Sequence, residues 1–282
     1  MLNQCRMTGF ADEIDRQFDV QLQVLEELGQ KYLELRAADG IGVADIGMEK
    51  AAELKRKMAD KGIGVSAIGS PIGKIGITDE FAPHFESFKH IVELAQYFDT
   101  PYIRMFSFYL PEETQTQKYR EQVFERMGRM IDYAKAENVT LLHENEKGIY
   151  GAMAPECRQL FDEFYGEHFQ GIFDFANFVQ CRQDTLEAYR LLEPFISYIH
   201  VKDAMWDNGE VVLPGQGDGN LAEIFSKLDA KGYAGFLSME PHLFHFAGLD
   251  QLEKEPGAKK ESNGIAAYKA AYKSLRELLG AE

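Results

Sequence analysis

Four consecutive apolar runs in the second half of the chain carry polar side chains that could bind a metal ion and move protons. In the runs VTLLHENE, GIFDFAN, YIHVKDA and FLSMEPH, these side chains are Glu144, Asp174, His200 and Glu240. Buried carboxylates brought together repel one another unless they are protonated, paired or bound to a cation. One such residue alone is an ordinary strand-end residue, but four in succession predict one divalent metal ion. Three carboxylates and an imidazole suit Mn²⁺, Mg²⁺ or Co²⁺ and tolerate Zn²⁺, so the ligand set does not select the metal.

The side-chain period of two in a β-strand sorts these residues by face. It places Lys202 on the face of His200, and His242 on the face of Glu240. His143 lies on the opposite face of its strand. We therefore expect His143 to pack in the structure or to act behind the site rather than to bind the metal ion.

Short apolar runs alternate with segments of helical periodicity along the whole chain, as parallel strands joined by helices require. The predicted strands cover residues 6–11, 32–36, 63–69, 101–108, 139–146, 171–175, 196–202 and 235–240. Eight β/α units in 282 residues predict a (β/α)8 TIM barrel, and a doubly wound sheet is the alternative if one strand is miscounted. No linker or change in composition divides the sequence, so residues 1–282 are expected to form one domain.

Functional residues of such a barrel lie at the carboxyl ends of its strands and in the loops that follow. An ion pair between Glu34 and Arg36, which share a face, is the structural alternative for Glu34. The segment PGQGDGN either presents backbone amides to a phosphate group or only makes a turn. The irregular segment 242–263 follows the last strand and is expected over the barrel mouth. The candidates for substrate binding are Glu34, Lys74, Arg104, Asn177, Lys202, Asp203 and His242.

The composition excludes several classes of protein. The chain has 30 basic and 46 acidic side chains, a net charge of −16, and 45% hydrophobic residues. This acidity disfavours a nucleic-acid partner, because Lys and Arg carry most of the affinity for phosphates. No apolar run is long enough to span a membrane, and the N-terminus lacks a signal-peptide pattern, so we expect a cytoplasmic protein without a membrane partner. Cys5, Cys157 and Cys181 lack metal-type spacing and are expected to be free thiols.

The ordered motifs HENE, FDFANF, HVKDA, PGQGDGN and MEPH resemble those of the sugar phosphate isomerase/epimerase superfamily, the xylose isomerase-like TIM barrels. The resemblance extends from GFADEID at the first strand to the eighth strand. It implies, as in the ketose 3-epimerase and inosose dehydratase branches, that Glu144, Asp174, His200 and Glu240 hold one metal ion. It also implies that the two glutamates face each other across the substrate as acid and base. Asn177 departs from the pattern, because epimerases of this group usually have a histidine there.

The leading hypothesis is a metal-dependent isomerase or epimerase that acts on a keto-sugar, a sugar phosphate or a related polyol. It would remove a proton next to a carbonyl and form a metal-stabilised enediolate. A dehydratase of the inosose dehydratase type is the first alternative, and a non-catalytic sugar-binding barrel is the second. The expected partner is a small-molecule sugar or polyol. The sequence does not decide between a monomer and a homo-oligomer.

Overall fold

The computed structural model describes residue 2 and residues 4–112, 116–243 and 263–280, and these form a barrel of parallel strands surrounded by helices. The barrel strands are β1 (Arg6–Gly9), β2 (Tyr32–Leu35), β3 (Gly64–Ile68), β4 (Tyr102–Met105), β5 (Thr140–Glu144), β6 (Phe169–Asp174), β7 (Ile196–Val201) and β8 (Phe236–Met239). The main helices that follow them are α1 (Phe18–Glu27), α2 (Met48–Lys61), α3 (Phe81–Tyr97), α4 (Thr116–Ala136), α5 (Ala154–Phe164), α6 (Thr185–Leu192), α7 (Leu221–Ala230) and α8 (Gly264–Leu278), and a short helix, Phe175–Gln180, lies between β6 and α6.

The strands follow one another around the barrel in sequence order. β1 pairs in parallel with β8, with Arg6 opposite Phe236 and Gly9 opposite Met239. A parallel backbone bridge between Phe10 and Glu34 joins the chain at the ends of β1 and β2. Eight parallel strands thus form a nearly closed barrel, and the predicted (β/α)8 TIM barrel is confirmed.

Helix α2 shows how the sequence positions the outer layer. It buries Ala51, Leu54 and Met58, whose spacing of three and four residues forms one apolar face against the sheet. It ends at Gly62, which adopts φ +62°, a left-handed conformation that glycine reaches without a steric penalty. The apolar spacing and the glycine stop predicted residues 48–61 as a helix, and the structure has the same bounds.

The predicted fourth strand, residues 101–108, is longer than the observed strand β4. After Met105 the backbone leaves the sheet and binds the loop that follows β3. The amide of Phe106 donates to the carbonyl of Ile72, and the amide of Phe108 donates to that of Gly73. The apolar run continues because these residues are buried, not because they extend the strand.

Two short hairpins lie outside the barrel sheet. One pairs Ala37–Ala38 with Ile41–Gly42, and it was not predicted. The other pairs Asp203–Ala204 with Val211–Val212 in the loop after β7.

An apolar layer fills the interior of the barrel below the polar strand ends. Leu142 and Tyr198 belong to it, and they precede Glu144 and His200 by two residues on the same strand faces. The layer consists of five buried residues: Ala67, Leu142, Ile172, Tyr198 and Phe236. The polar cluster therefore rests on a largely apolar layer, which lowers the local dielectric and strengthens interactions among its charges.

Three further expectations concern features away from the barrel interior. Within the described ranges, no helix combines the length and the apolar character needed to cross a membrane. Cys5, Cys157 and Cys181 are free thiols, as expected. The segment 242–263, expected over the barrel mouth, lies outside the described residues except for residues 242, 243 and 263.

Candidate active site

The side chains of Glu144, Asp174, His200 and Glu240 meet at the carboxyl end of the barrel. They come from β5, β6 and β7 and from the residue directly after β8. One ligand atom from each lies within 4.8 Å of those from the other three. All four residues are buried, with at most 2% of their surface exposed. The structure thus brings together the four residues that were predicted from their positions at the strand ends.

This set fits a divalent cation by its chemistry and by one buried oxygen that accepts no hydrogen bond. Asp174 Oδ1 accepts a hydrogen bond from the amide of Asn177 at 2.7 Å, whereas Oδ2 accepts none among the described residues and has an ionic contact with Lys202 Nζ at 3.4 Å. Burial, and then the neighbouring carboxylates of Glu144 and Glu240, raise the pKa of Asp174 to about 7. A divalent ion bound here would offset this shift, because its charge favours the ionised form of the carboxylates.

His200 lies between two carboxylates. Its Nδ1 is 2.9 Å from Glu144 Oε1, and its Nε2 is 3.1 Å from Glu34 Oε2. Burial opposes the charged imidazolium, but Glu144 and Glu34 outweigh burial and raise the pKa of His200 to about 10. Nδ1 faces the carboxylate cluster, so Nδ1 is the atom available to a metal ion there.

Two buried cations, Arg104 and Lys202, neutralise the same cluster. Arg104 Nη1 lies 3.2 Å from Glu144 Oε2, and Lys202 Nζ lies 3.1 Å from Glu240 Oε2 and 3.4 Å from Asp174 Oδ2. Burial alone would raise the pKa of Glu240, but Lys202 and other nearby cations hold it well below its ordinary value. Glu144 behaves alike, since His200 and Arg104 overcome burial and lower its pKa to about 2.

A second ion-pair network adjoins Glu240 on the side of β1 and β2. Arg36 contacts three carboxylates: Asp12 at 2.9 Å, Glu13 at 3.2 Å and Glu240 at 3.0 Å. His242 Nε2 lies 3.2 Å from Glu240 Oε1 and 3.5 Å from Glu13 Oε1. The guanidinium already supplies positive charge to this group of carboxylates.

Asp12 and Glu13 are the members of this network that sequence reasoning missed. They lie in the 3-10 helix Ala11–Glu13, which starts two residues after β1. The signal that could have found them is the motif GFADEID, because it follows the first apolar run as HENE follows the fifth. An ion pair between Arg36 and Glu34 was the structural alternative, whereas Arg36 pairs with Asp12 and Glu13, which follow β1, and with Glu240, which follows β8.

Lys74 and Asn177 lie at the cluster's edge. Lys74 Nζ is 2.8 Å from Glu146 Oε2, and both side chains are partly exposed, at 12% and 14%. Lys74 Nζ also lies 4.3 Å from the centroid of the Phe106 ring. The Asn177 side chain donates to the carbonyl of Asn145 at 2.9 Å and lies 3.4 Å from Glu144 Oε1. Lys74 is thus partly exposed at this edge, whereas Asn177 is buried, with 2% of its surface exposed.

Three polar residues of the same strand ends point away from the cluster or lie beneath it. Glu34 is buried below His200, with 1% of its surface exposed. His143 donates to or accepts from Ser107 Oγ at 2.9 Å on the outer face of β5, as the strand alternation predicted. The Asp203 carboxylate accepts hydrogen bonds from four backbone amides of its own loop: Ala204, Gly215, Gly217 and Gly219.

The Asp203 carboxylate occupies the glycine-rich loop that could have held a phosphate group. A Cβ atom at residue 217 would lie 2.5 Å from Asp203 Oδ1, and one at residue 219 would lie 2.7 Å from it. Glycine is needed at both positions because the carboxylate approaches the backbone so closely. The structure therefore supports the turn interpretation of PGQGDGN.

The sequence also matches a known protein family. The model of the xylose isomerase-like TIM barrel matches residues 22–278, which is most of the chain. The chain belongs to this family. No curated protein matches the sequence of this xylose isomerase-like barrel at a significant level.

Solved structures extend the likeness over the full barrel. An L-ribulose 3-epimerase is 19% identical, with a TM-score of 0.76, and the match covers 98% of this chain and 95% of that chain. A D-psicose 3-epimerase is 16% identical, with a TM-score of 0.76 and coverage of 98% and 100%. A probable 3-DHS dehydratase from Bacillus anthracis is 19% identical, with a TM-score of 0.74 and coverage of 96% and 98%. At these identities the likeness shows the fold shared by xylose isomerase-like barrels.

Proposed function

We propose that this protein is a divalent-metal-dependent isomerase or epimerase that acts on a keto-sugar or related polyol by removing a proton next to a carbonyl. The observation that carries the proposal is the convergence of Glu144, Asp174, His200 and Glu240, whose ligand atoms lie within 4.8 Å of one another. When bound, a divalent ion supplies Lewis-acid chemistry that stabilises negative charge on substrate oxygens.

Glu144 and Glu240 are the residues that we assign to proton transfer. They belong to β5 and to the end of β8, which are not adjacent, so they reach a substrate from different sides. Arg104 and Lys202 keep the two carboxylates ionised and therefore able to accept a proton. One glutamate takes the proton as a carboxylate. The other must first take up a proton from solvent, and it then returns that proton to the opposite face, which inverts the carbon.

The substrate class follows from the polar groups at the mouth. The pair of Lys74 and Glu146, together with Asn177, offers donors and acceptors for hydroxyl groups. The amides of the glycine-rich loop are bound to Asp203. A sugar phosphate would therefore find no free amide nest in that loop, and this favours a sugar or polyol without a phosphate group.

A dehydratase is the second candidate, and one feature of the site favours it. Lys202 Nζ and His242 Nε2 flank Glu240 at 3.1 and 3.2 Å. Loss of a hydroxyl group from the carbon next to the deprotonated one needs a proton donor at the departing oxygen. One structural neighbour is described as a probable dehydratase, which supports this alternative at the level of the family.

Metal analysis and solvent-deuterium incorporation test the proposal together. The purified protein would be analysed for bound metal and then incubated in D₂O with a panel of ketoses and inososes, with added Mn²⁺ or Mg²⁺. We expect deuterium at the carbon next to the carbonyl, with an unchanged substrate formula for an epimerase and the loss of one water for a dehydratase. Sugar binding without any incorporation would instead identify a non-catalytic barrel.

Three coarser expectations belong with this proposal. The partner would be a small-molecule sugar or polyol, with no nucleic acid, since the chain is strongly acidic. The protein would act in the cytoplasm. Its state of assembly, monomer or homo-oligomer, is to be measured by light scattering.

A further inference from the structure

We propose that Glu34 is a positioning residue that holds His200 so that Nδ1 faces the carboxylates and serves as the metal-binding nitrogen. This inference rests on the metal site of the proposed function. It adds Glu34, which contacts the imidazole of His200 rather than the carboxylates of the site. It assigns the side chain at the end of β2 a role in metal affinity rather than in substrate binding.

Hydrogen bonds hold one oxygen of the buried Glu34 carboxylate in place, while Oε1 has no hydrogen-bond partner among the described residues. Oε2 receives three hydrogen bonds: from Ser238 Oγ at 2.6 Å, from Tyr198 Oη at 3.0 Å and from His200 Nε2 at 3.1 Å. Glu34 is 1% exposed and contacts Nε2 of His200, whereas Glu144 contacts Nδ1 of the same ring. Three donors on one buried oxygen fix both the carboxylate and the imidazole proton that points at it.

An imidazole can use either ring nitrogen as a metal ligand, and the partner of the other nitrogen decides which one. Nε2 of His200 faces Glu34, while Nδ1 lies 2.9 Å from Glu144 Oε1 and 3.9 Å from Glu240 Oε2. With the Nε2 proton held by Glu34, the Nδ1 lone pair is directed at the carboxylate cluster. A carboxylate in this position also makes the imidazole a stronger electron donor.

The plane of the imidazole ring is fixed by aromatic contacts as well. Phe10 packs edge-on against it with ring centroids 5.2 Å apart, and Tyr198 does so at 5.8 Å. The Tyr198 hydroxyl group, which donates to Glu34, also contacts Ser66 Oγ at 3.0 Å. The polar chain thus runs from the barrel interior through Glu34 to His200.

The test compares Glu34→Gln with Ser238→Ala by measuring Mn²⁺ affinity through titration calorimetry. The first variant keeps the shape of the side chain but removes its charge, and the second removes another donor to the same oxygen without touching His200. We expect Glu34→Gln to bind Mn²⁺ about 10- to 100-fold more weakly than the wild type, as is typical when such a partner is changed. Ser238→Ala should stay within about threefold of the wild type, and thermal unfolding of both variants reports any general loss of structure.

A second measurement needs no variant and therefore does not depend on folding of Glu34→Gln. Nitrogen-15 NMR of the wild-type protein loaded with Zn²⁺ distinguishes the protonated from the metal-bound ring nitrogen of His200. We expect a proton on Nε2 and metal on Nδ1. Metal on Nε2, or equal Mn²⁺ affinity in wild type and Glu34→Gln, would overturn the inference. A wild type that binds neither ion would overturn the proposed metal site itself, which the wild-type titration reveals before any variant is compared.

Discussion

Lys202 Nζ lies 3.1 Å from Glu240 Oε2, and at most 4% of either side chain is exposed. The ammonium group also lies 3.4 Å from Asp174 Oδ2, so it bridges two of the carboxylates that the metal-ion proposal requires. A buried ion pair of this kind is costly to break from one side, because the remaining charge is left without compensation. Lys202 and the expected metal ion would therefore both compensate the negative charge of these carboxylates.

We predict that Lys202→Met destabilises the metal-free protein by about 3–5 kcal/mol, the usual cost of removing one member of a buried pair. Added Mn²⁺ should recover more of this stability than it adds to the wild type, because a cation that binds the folded state compensates the carboxylates. Urea unfolding with and without Mn²⁺ measures both effects.

The matched control is Lys74→Met, whose ion pair with Glu146 is partly exposed. A pair that keeps contact with solvent costs less to break than a fully buried one, so this variant should be destabilised clearly less than Lys202→Met. Equal destabilisation of the two variants would show that Lys202 has no special role in the buried cluster.

His200→Ala and His143→Ala should separate metal binding from packing. His200 faces the carboxylates, whereas His143 contacts Ser107 and the rings of Phe161 and Phe169 outside the barrel interior. We expect His200→Ala to lose metal affinity and activity together. His143→Ala should lower the unfolding temperature but retain metal, as elemental analysis of dialysed protein can check. Equal metal loss in both variants would contradict the face assignment of β5.

Glu144→Gln and Glu240→Gln test the two-base mechanism. If the reaction is an epimerisation, each variant should lose turnover, since each removes one of the two groups that exchange protons with the substrate. Either variant can still exchange the substrate proton with solvent from its remaining side, provided that it retains metal. Deuterium wash-in followed by NMR, with the metal content measured in parallel, provides the readout. Full epimerisation by either metal-loaded variant would redirect the search to Lys202, His242 or Glu146.

Asp203→Asn should weaken the loop after β7 without affecting metal binding. The carboxylate accepts four backbone amides, and loss of its charge removes hydrogen bonds that are worth roughly 1.5–3 kcal/mol when one partner is charged. We expect a lower unfolding temperature and an unchanged Mn²⁺ titration. Asp207→Asn, at an exposed position in the same segment, is the control and should leave both measurements unchanged.

The sequence predicted the barrel because its signals are local. The apolar spacing within residues 48–61 and the glycine that follows are sufficient to bound α2, and strand alternation alone separates His143 from Glu144. The prediction for the end of β4 was wrong. The backbone amides of Phe106 and Phe108 bond to the loop after β3, so these residues are buried without being part of the sheet. Burial and strand pairing produce the same apolar pattern in a sequence.

The surroundings of the candidate site were harder to predict than its four central residues. Glu34 and His200 are separated by 166 positions, and their contact exists only because the barrel closes. Strand periodicity shows which face a residue occupies but not its depth, so Glu34 was expected at the mouth and lies instead beneath the imidazole. The same reason applies to Asp12 and Glu13, whose partner Arg36 comes from the next strand.

The bridge between Phe10 and Glu34 places the seam of the barrel directly beside the imidazole of His200. The backbone of these two residues joins β1 to β2, while the ring of Phe10 and the carboxylate of Glu34 touch His200. A transient separation of β1 from β2 would therefore disturb the contacts of His200 directly, because no other described residue lies between them. A bound metal ion should in turn slow hydrogen exchange at the backbone amides of β1 and β2. The exchange rate at this seam would then measure whether the metal site is occupied.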